Sequence, residues 1–358
     1  MFLYIGNLKS LIYLPYGKLK LMSLLGRNDG HMKEKILRIL KDNPEDFISG
    51  EAISEQFNVS RSAVWKHINT LKEEGYEIES QPRKGYRLLS SPDILTMSEV
   101  EEYLDTDFIG RNIHYYESLS STNIKAKEIA VDGVEGTVII SEEQTKGKGR
   151  LGRDWTSPSG KGIWMSIILK PNVDPTEVAK ITLIGAAAVQ QALKEIGIAS
   201  QIKWPNDIII QNKKVCGILT EMSCELNRIN YCIMGIGINV NLDGKDFQGE
   251  LENKATSLKI ATGKEVNRKL LLGKILNSFE KLYLPFSETG DMLKTIKISK
   301  ENSILIGKEV RIIKGEDEKT GRVLDIDEEG RLIVEFENGT IEPIFSGEVS
   351  VRGINGYV

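Results

Sequence analysis

The stretch 144-QTKGKGRLGRDWTSPSG-160 separates two architectures. Its Gly147, Gly149 and Gly152 satisfy the G-x-G-x-x-G spacing of a dinucleotide-binding turn. Such a turn works only when a helix starts directly behind it, because the helix N-terminus holds the pyrophosphate. Here Trp155-Thr156-Ser157-Pro158-Ser159-Gly160 follows, which reads as loop. The stretch is therefore not the first turn of a doubly wound parallel sheet. Residues 144–153 hold four cations, three glycines and no acid, which reads as a cationic flap that closes over phosphate. A solvated surface loop is the alternative.

Outward from the flap, strands and helices alternate without a fixed rule. In 203-KWPNDIIIQNKKVCGILT-220, apolar strands at 207–211 and 214–220 flank Asn212-Lys213, a two-residue hairpin signal. Residues 113–119, 137–141, 163–169 and 230–240 read as further strands. Residues 123–132 and 268–284 read as helices. Asp174, Pro175 and Glu177 supply an N-cap, a first-turn proline and a third-position acid for a helix that runs to Gly197. Hairpins and helices both connect strands, so the fold class is α+β with a mixed sheet.

The two ends differ from this centre. Residues 33–41 read as a helix with Ile36, Leu37, Ile39 and Leu40 inward. Ser49 caps a second helix with Ala52, Ile53 and Phe57 on one face. Ser60 caps a third over 61–74, which Gly75 ends. Short strands at 76–80 and 85–89 complete an N-terminal winged helix-turn-helix. At the C-terminus, strands at 309–313, 321–326, 332–337 and 341–345 read as a small SH3-like β-barrel. The expected domains are 32–91, 92–300 and 301–358, with Ser90-Ser91-Pro92 as linker. Residues 1–31 read as a disordered extension or a start-site artefact, with a membrane anchor as the alternative.

Composition limits the function. The chain has 358 residues, enough for two or three domains, and a net charge of −4, so a nucleic-acid surface must be a local patch. Cys216, Cys224 and Cys232 form no C-x-x-C pair. With only three histidines they argue against structural zinc and for a reducing cytoplasm. They read as small apolar residues in buried strands. No run of 18 uncharged apolar residues exists, so no membrane span is expected.

Two patches carry cations without acids. Residues 58–71 contain Arg61, Lys66 and His67, and residues 80–90 contain Arg83, Lys84 and Arg87. They fall where a winged helix meets phosphates. Ser60, Arg61, Ser62 and Trp65 occupy the start of the recognition helix, which reaches base edges. Protein contacts by the same module are the alternative.

Three further constellations carry chemistry. Ser120-Ser121-Thr122-Asn123 lies between a strand and a helix, where hydroxyl, amide and free N–H groups can hold a polar ligand head. Capping alone would also account for it. Lys214 follows the hairpin turn, on a strand beside that of Asp207, and can set a cation against a phosphoryl group. Gly235-Ile236-Gly237-Ile238-Asn239 allows close backbone approach to a flat ligand.

Taken in order, S-S-T-N, Q-T-x-G-x-G-R-x-G-R-x-W, K-W-P-N-D, K-x-x-G-I-L and G-I-G-I-N-V-N resemble the bifunctional biotin ligase/repressor family from Met32 to Val358. The resemblance implies a central class II synthetase-like ligase domain. It implies biotinyl-5′-AMP made from biotin and ATP with Mg²⁺, then transfer to a lysine of a biotin carboxyl carrier protein domain. It implies a cytoplasmic repressor that forms a ligand-promoted homodimer on operator DNA. Alternatives are a non-catalytic biotin-sensing repressor and a lipoate-type acyltransferase with a DNA-binding domain. The family reading assigns Ser121, Thr122, Asn123, Gln144, Lys148, Gly149, Arg150 and Lys214 to biotin. It assigns Lys148, Arg150, Arg153, Trp155, Asp207 and Asn239 to the nucleotide, Lys214 and Arg150 to catalysis, and Asn239 to Mg²⁺. Ser60, Arg61, Ser62, Trp65, Lys66, Arg83 and Lys84 face DNA. Lys148 stands where the family flap usually has arginine, which keeps the charge and loses the planar fork.

Overall fold

The computed structural model describes residues 30–225, 228–346 and 349–354. The extension read over residues 1–31 falls outside these, except for its last two residues, which open the first helix. The described residues fall into two compact units, divided after Pro92.

The first unit has helices α1 (Gly30–Asp42), α2 (Gly50–Phe57) and α3 (Arg61–Glu73), then an antiparallel ribbon of β1 (Glu77–Gln81) and β2 (Gly85–Ser90). Ser49 and Ser60 cap as expected: their hydroxyls accept from Ala52 N and Ala63 N. Ile36 and Leu40 of α1 meet Val64, Ile68 and Leu71 of α3, the four- and three-residue spacing of one helix face. Tyr86 and Ile48 exchange two backbone hydrogen bonds of 2.9 Å. Gly85 sits against that bridge at φ +116°, and a Cβ there would lie 2.0 Å from Ile48 O.

The second unit runs in order α4 (Met97–Val100), β3 (Ile113–Leu119), α5 (Thr122–Ile129), β4 (Val138–Gln144), β5 (Gly162–Leu169), α6 (Ala179–Glu195), β6 (Gln201–Lys203), β7 (Asp207–Ile210), β8 (Lys213–Glu225) and β9 (Arg228–Asn239). Then come α7 (Leu251–Lys254), α8 (Leu258–Thr262), α9 (Arg268–Thr289), α10 (Leu293–Glu301) and strands β10 (Glu309–Lys314), β11 (Asp317–Ile326), β12 (Leu332–Phe336), β13 (Ile341–Ile344) and β14 (Ser350–Gly353). The large sheet has order β3-β4-β5-β9-β8-β7-β6, with only β3–β4 parallel. One face packs on α6 and α9, where Ala186, Ala187, Ala188 and Ala192 are fully buried and let the helices approach closely. The other face carries α5, over Ile139, Ile168 and Ile233. The C-terminal strands form an antiparallel sheet, β13-β12-β11-β10-β14. It has no separate core: Val310, Val323 and Leu332 belong to the same apolar cluster as α6 and α9. Trp204 Nε1 donates to Gly330 O (2.9 Å) across that junction.

Several local readings need correction. The β7–β8 turn is Gln211-Asn212, one residue earlier than read: both have positive φ, and Ile210 pairs with Lys213. Helix α9 passes Pro285 and ends at Gly290, because buried Phe286 holds its last turns on the core. Cys216 and Cys232 are buried, but Cys224 near the end of β8 is exposed. Burial pushes the Cys232 thiol up to about 12 and Cys216 further in the same direction. The fifth strand β14 and helix α10 carried no clear sequence signal.

Arg268 fastens the start of this unit. It is fully buried, and its guanidinium donates to Glu142 Oε2 (2.7 Å), Asp93 Oδ2 (2.9 Å), Gly162 O (3.0 Å) and Asp93 O. Removing one partner of a buried ion pair leaves the other uncompensated. We predict that Arg268→Met lowers stability by about 3–5 kcal/mol in urea unfolding followed by circular dichroism. Adding Glu142→Leu should restore part of that loss.

Candidate functional site

The site is built where strand ends, a helix start and a loop meet on the α5 face of the sheet. Its floor is made of positions without side chains. Gly217 of β8 pairs with Gly237 of β9, and Leu219 pairs with Gly235. A Cβ on Gly235 would lie 2.2 Å from Asn123 Oδ1, and one on Gly237 2.5 Å from Trp155 Nε1. Asn123 and Trp155 thus rest directly on the backbone of β9.

Above this floor lies a polar cluster. Gln144, the last residue of β4, accepts through Oε1 from Thr122 N (2.9 Å) and Thr122 Oγ1 (3.2 Å), and donates to Ser157 Oγ (3.0 Å). Ser166 Oγ of β5 lies 2.6 Å from Asn123 Oδ1, and Asn123 Nδ2 donates to Glu221 Oε2 (2.8 Å). Ser121 stands at the N-cap of α5, but its side chain makes no cap hydrogen bond. Capping therefore does not account for the motif.

The flap closes on itself. Gly149 N donates to Arg153 O (2.7 Å), Trp155 N donates to Gly147 O (2.9 Å), and Lys148 pairs with Asp154 (2.6 Å). Asp154, directly after the acid-free run, neutralises Lys148 on the surface. Arg150 reaches elsewhere, donating to Asn206 Oδ1 (3.0 Å), Ser346 O (3.0 Å) and Val349 O (3.2 Å). Lys214 Nζ pairs with Asp207 Oδ1 (2.5 Å) and lies 5.1 Å from the centre of the Trp155 ring. Trp155 in turn meets Trp164 edge-on at 6.5 Å.

Two connected spaces result. The inner one, about 40 Å³, is lined by Ser121, Thr122, Asn123, Gln144, Lys148, Gly149, Arg150 and Lys214, with the glycine floor beneath. The Trp155 indole forms part of its wall. The outer cleft, about 1330 Å³, is lined by Arg150, Arg153, Trp155, Asp207, Lys214 and Asn239. It also takes in Lys203, Lys308, Arg311 and Arg352, which sequence reading did not assign. Arg311 and Arg352 come from the C-terminal sheet and Lys308 directly precedes it, too far along the chain for motif spacing to connect them with the flap. Asn239 Nδ2 donates to Thr256 O (3.1 Å). Among the described residues no group of three or more His, Cys, Asp and Glu could hold a metal ion, so the donor set does not fit a resident divalent cation.

In the first unit, Ser60, Arg61, Ser62, Trp65 and Lys66 of the third helix are exposed, as are Arg83 and Lys84 in the turn of the ribbon. Trp65 is 60% exposed, a large apolar surface left to water on the helix that would meet DNA. Arg87 is different: it pairs with Glu79 (2.7 Å) and stacks on Phe47. It therefore belongs to the scaffold of the ribbon.

Comparison with known proteins gives three matching family models: an HTH domain over residues 33–87, the Biotin/lipoate A/B protein ligase family over 115–239, and the Biotin protein ligase C terminal domain over 305–352. The chain is 41% identical to the bifunctional ligase/repressor BirA of Bacillus subtilis, covering 89% of this chain and 98% of the relative. It is 27% identical to that of Escherichia coli, covering 90% and 98%. A solved biotin protein ligase from Aquifex aeolicus, in complex with biotin and ATP, matches with TM-score 0.60 at 34% identity, covering 68% of this chain and 99% of that one.

The glycine floor gives a direct test. Gly237→Ala puts a methyl group where the Trp155 indole lies. The ring should leave its pocket, giving a red-shifted tryptophan emission that vanishes in a Trp155→Phe background. An unshifted spectrum would mean that the indole does not rest on this strand.

Proposed function

Because this chain belongs to the family of bifunctional biotin ligase/repressors, we propose a two-step reaction for its cleft and a ligand-set switch for its DNA-binding unit. The protein is a biotin–protein ligase and a transcriptional repressor. Biotin and ATP are its substrates; a carboxylase carrier domain and DNA are its partners. Among the described residues no helix is long and apolar enough to cross a membrane. We place the protein in the cytoplasm, where ATP and operator DNA are found.

One observation carries the mechanism: a small polar-walled pocket on a glycine floor opens into a large cleft lined with cations. The ring end of biotin fits the first, with Ser121, Thr122, Asn123 and Gln144 meeting its polar head. Trp155 must swing off Gly237 to admit it. The carboxylate then points toward Lys214. A carboxylate oxygen attacks the α-phosphorus of ATP, the bond to the β-phosphate breaks, and pyrophosphate leaves. Charge grows on the phosphate oxygens during this step, so Lys214 and Arg150 contribute most in the transition state. Hydrogen bonds from Arg150 to phosphate oxygens are about twice as strong as those to neutral carbonyls. Lys148, Gly149 and Arg153 line the same path, and Asp207 orients Lys214. Mg²⁺ arrives as part of the MgATP substrate; the Asn239 side-chain oxygen is the ligand this wall offers. In the second step the carrier lysine amine attacks the acyl carbon, an amide forms, and AMP and a proton leave. The closed flap keeps water from the mixed anhydride until then.

On DNA, Arg61, Ser62, Trp65 and Lys66 meet the major groove with Ser60 at the helix start, while Arg83 and Lys84 meet phosphates from the wing. These few cations grip weakly in one copy. Two copies on one duplex gain affinity through effective concentration.

Purified apo carrier domain with ATP and either biotin or lipoate tests the catalytic reading. Biotin should be incorporated and lipoate should not. Lipoate incorporation would make the chain an acyltransferase of the related kind, and biotin binding without labelling would make it a sensor. Lys214→Ala should fold normally and lose about 10²–10³ in adenylate formation. Sedimentation of the full chain should show a shift from monomer to dimer with biotinyl-5′-AMP, enhanced by operator DNA through linkage. A dimer fraction unmoved by the adenylate would leave the repressor without this switch.

A further inference from the structure

Glu221 of β8 lines neither space of the site, and both of its carboxylate oxygens are engaged. Oε2 accepts from Asn123 Nδ2 (2.8 Å) and Oε1 from Lys127 Nζ (2.6 Å). A carboxylate only accepts, so the Asn123 amide must turn its NH₂ side toward Glu221. The Oδ1 side then faces inward, where Ser166 Oγ stands at 2.6 Å. Ser166 is fully buried and Asn123 nearly so. The same Ser166 hydroxyl also reaches Thr122 Oγ1 at 2.7 Å. It has one proton for these two acceptors. Thr122 directs its own proton to Gln144 Oε1 (3.2 Å). One oxygen of the pair Thr122 Oγ1 and Asn123 Oδ1 is therefore always a proton short, and both residues line the inner pocket.

We propose that Glu221 is a positioning residue for biotin: it turns the Asn123 amide so that the pocket wall keeps one acceptor more than it has protons, and a ring N–H of biotin fills that place. This rests on the ligase reading above, which brings the cyclic urea of biotin to this wall. A cyclic urea carries two N–H donors, whereas the dithiolane ring of lipoate carries none. Were the amide turned over, Nδ2 would donate to Ser166 Oγ. The Ser166 proton would pass to Thr122 Oγ1, and the wall would be complete without a ligand. The two orientations differ little in shape and entirely in what they ask of a ring. Glu221 decides between them from the far side of Asn123, with Lys127 holding it in place. Gly235 leaves the room for this, since a Cβ there would lie 2.2 Å from Oδ1. A buried acceptor left without a proton weakens a ligand that lacks the donor by about 10- to 100-fold.

The test exchanges the charges. Glu221→Lys with Lys127→Glu keeps an ion pair between β8 and α5 but shows Asn123 a group that only donates, so the amide turns over. In the full-length protein, calorimetry should then find biotin binding weakened by about 10- to 100-fold, with the KM for ATP within about threefold of the unaltered value. Lys127→Met, which leaves Glu221 in place, should hold biotin within about threefold. Asn123→Asp added to the exchanged pair puts an oxygen on both sides, and most of the lost affinity should return. Unchanged biotin affinity in the exchanged pair overturns the proposal. So does a loss that Asn123→Asp does not reverse, or one that extends equally to ATP. A second measurement needs no variant. Two cyclic carbamate analogues of biotin each have one ureido N–H replaced by oxygen, and at least one should bind the unaltered protein about 10- to 100-fold less tightly. If both bind as biotin does, the proposal fails while the ligase reading stands; a protein that binds no biotin at all loses both.

Discussion

Three strand positions without a side chain set how near anything can come to the central sheet. At Gly217, Gly235 and Gly237 the backbone itself is the wall; Asn123 on Gly235 and Trp155 on Gly237 lie against it at distances no Cβ would allow. The polar cluster depends on this. Asn123 can reach Ser166 and Glu221 only because Gly235 leaves room above β9. Thr122, next to it at the start of α5, then falls within reach of Gln144. A larger residue at Gly235 would push on the helix start and one at Gly237 on the flap, whereas at Gly217 the end of the Lys214 side chain would have to move first.

The second organising constraint is electrostatic. Cations reach the outer cleft from the flap, from the edge of the large sheet and from the C-terminal sheet. Like charges gathered in one place repel, so their elements must be held by other forces. Here the shared apolar core does it, with Trp204 bonded to Gly330 and Val310 packed in the same cluster as α6. The C-terminal sheet is thus a wall of the site in its own right. Arg150 bridges the two parts through Ser346 and Val349 carbonyls.

Local features were legible in the sequence. Capping serines at 49 and 60, the periodic apolar faces of α1 and α3, and the apolar run of the strand at 163–169 each rest on neighbours a few residues apart. Motif residues on the flap and α5 were legible for the same reason. Long-range partners were not. Lys203, Arg311 and Arg352 meet only after folding, and no spacing links them. Asp154 and Glu79 lie just outside the acid-free runs 144–153 and 80–90, and each neutralises a cation inside its run. The helix read over 268–284 continues past Pro285, with Phe286 buried in its last turns. Tertiary burial overrode local preference there.

The indole of Trp155 gives the inner pocket an unusual thermodynamic character. A pocket that fills with water must be emptied before an apolar ring can enter, and the released water gives a large negative heat-capacity change. Here a side chain of the protein already covers the glycine floor. A ring that enters and an indole that leaves exchange one apolar surface for another. The net area withdrawn from water is then far smaller than the ligand's own, and the heat capacity of the first binding step stays correspondingly small. An indole displaced from the floor would expose its own apolar surface unless a second ligand covered it. Affinity for the first and order in the flap are thereby joined in one aromatic residue.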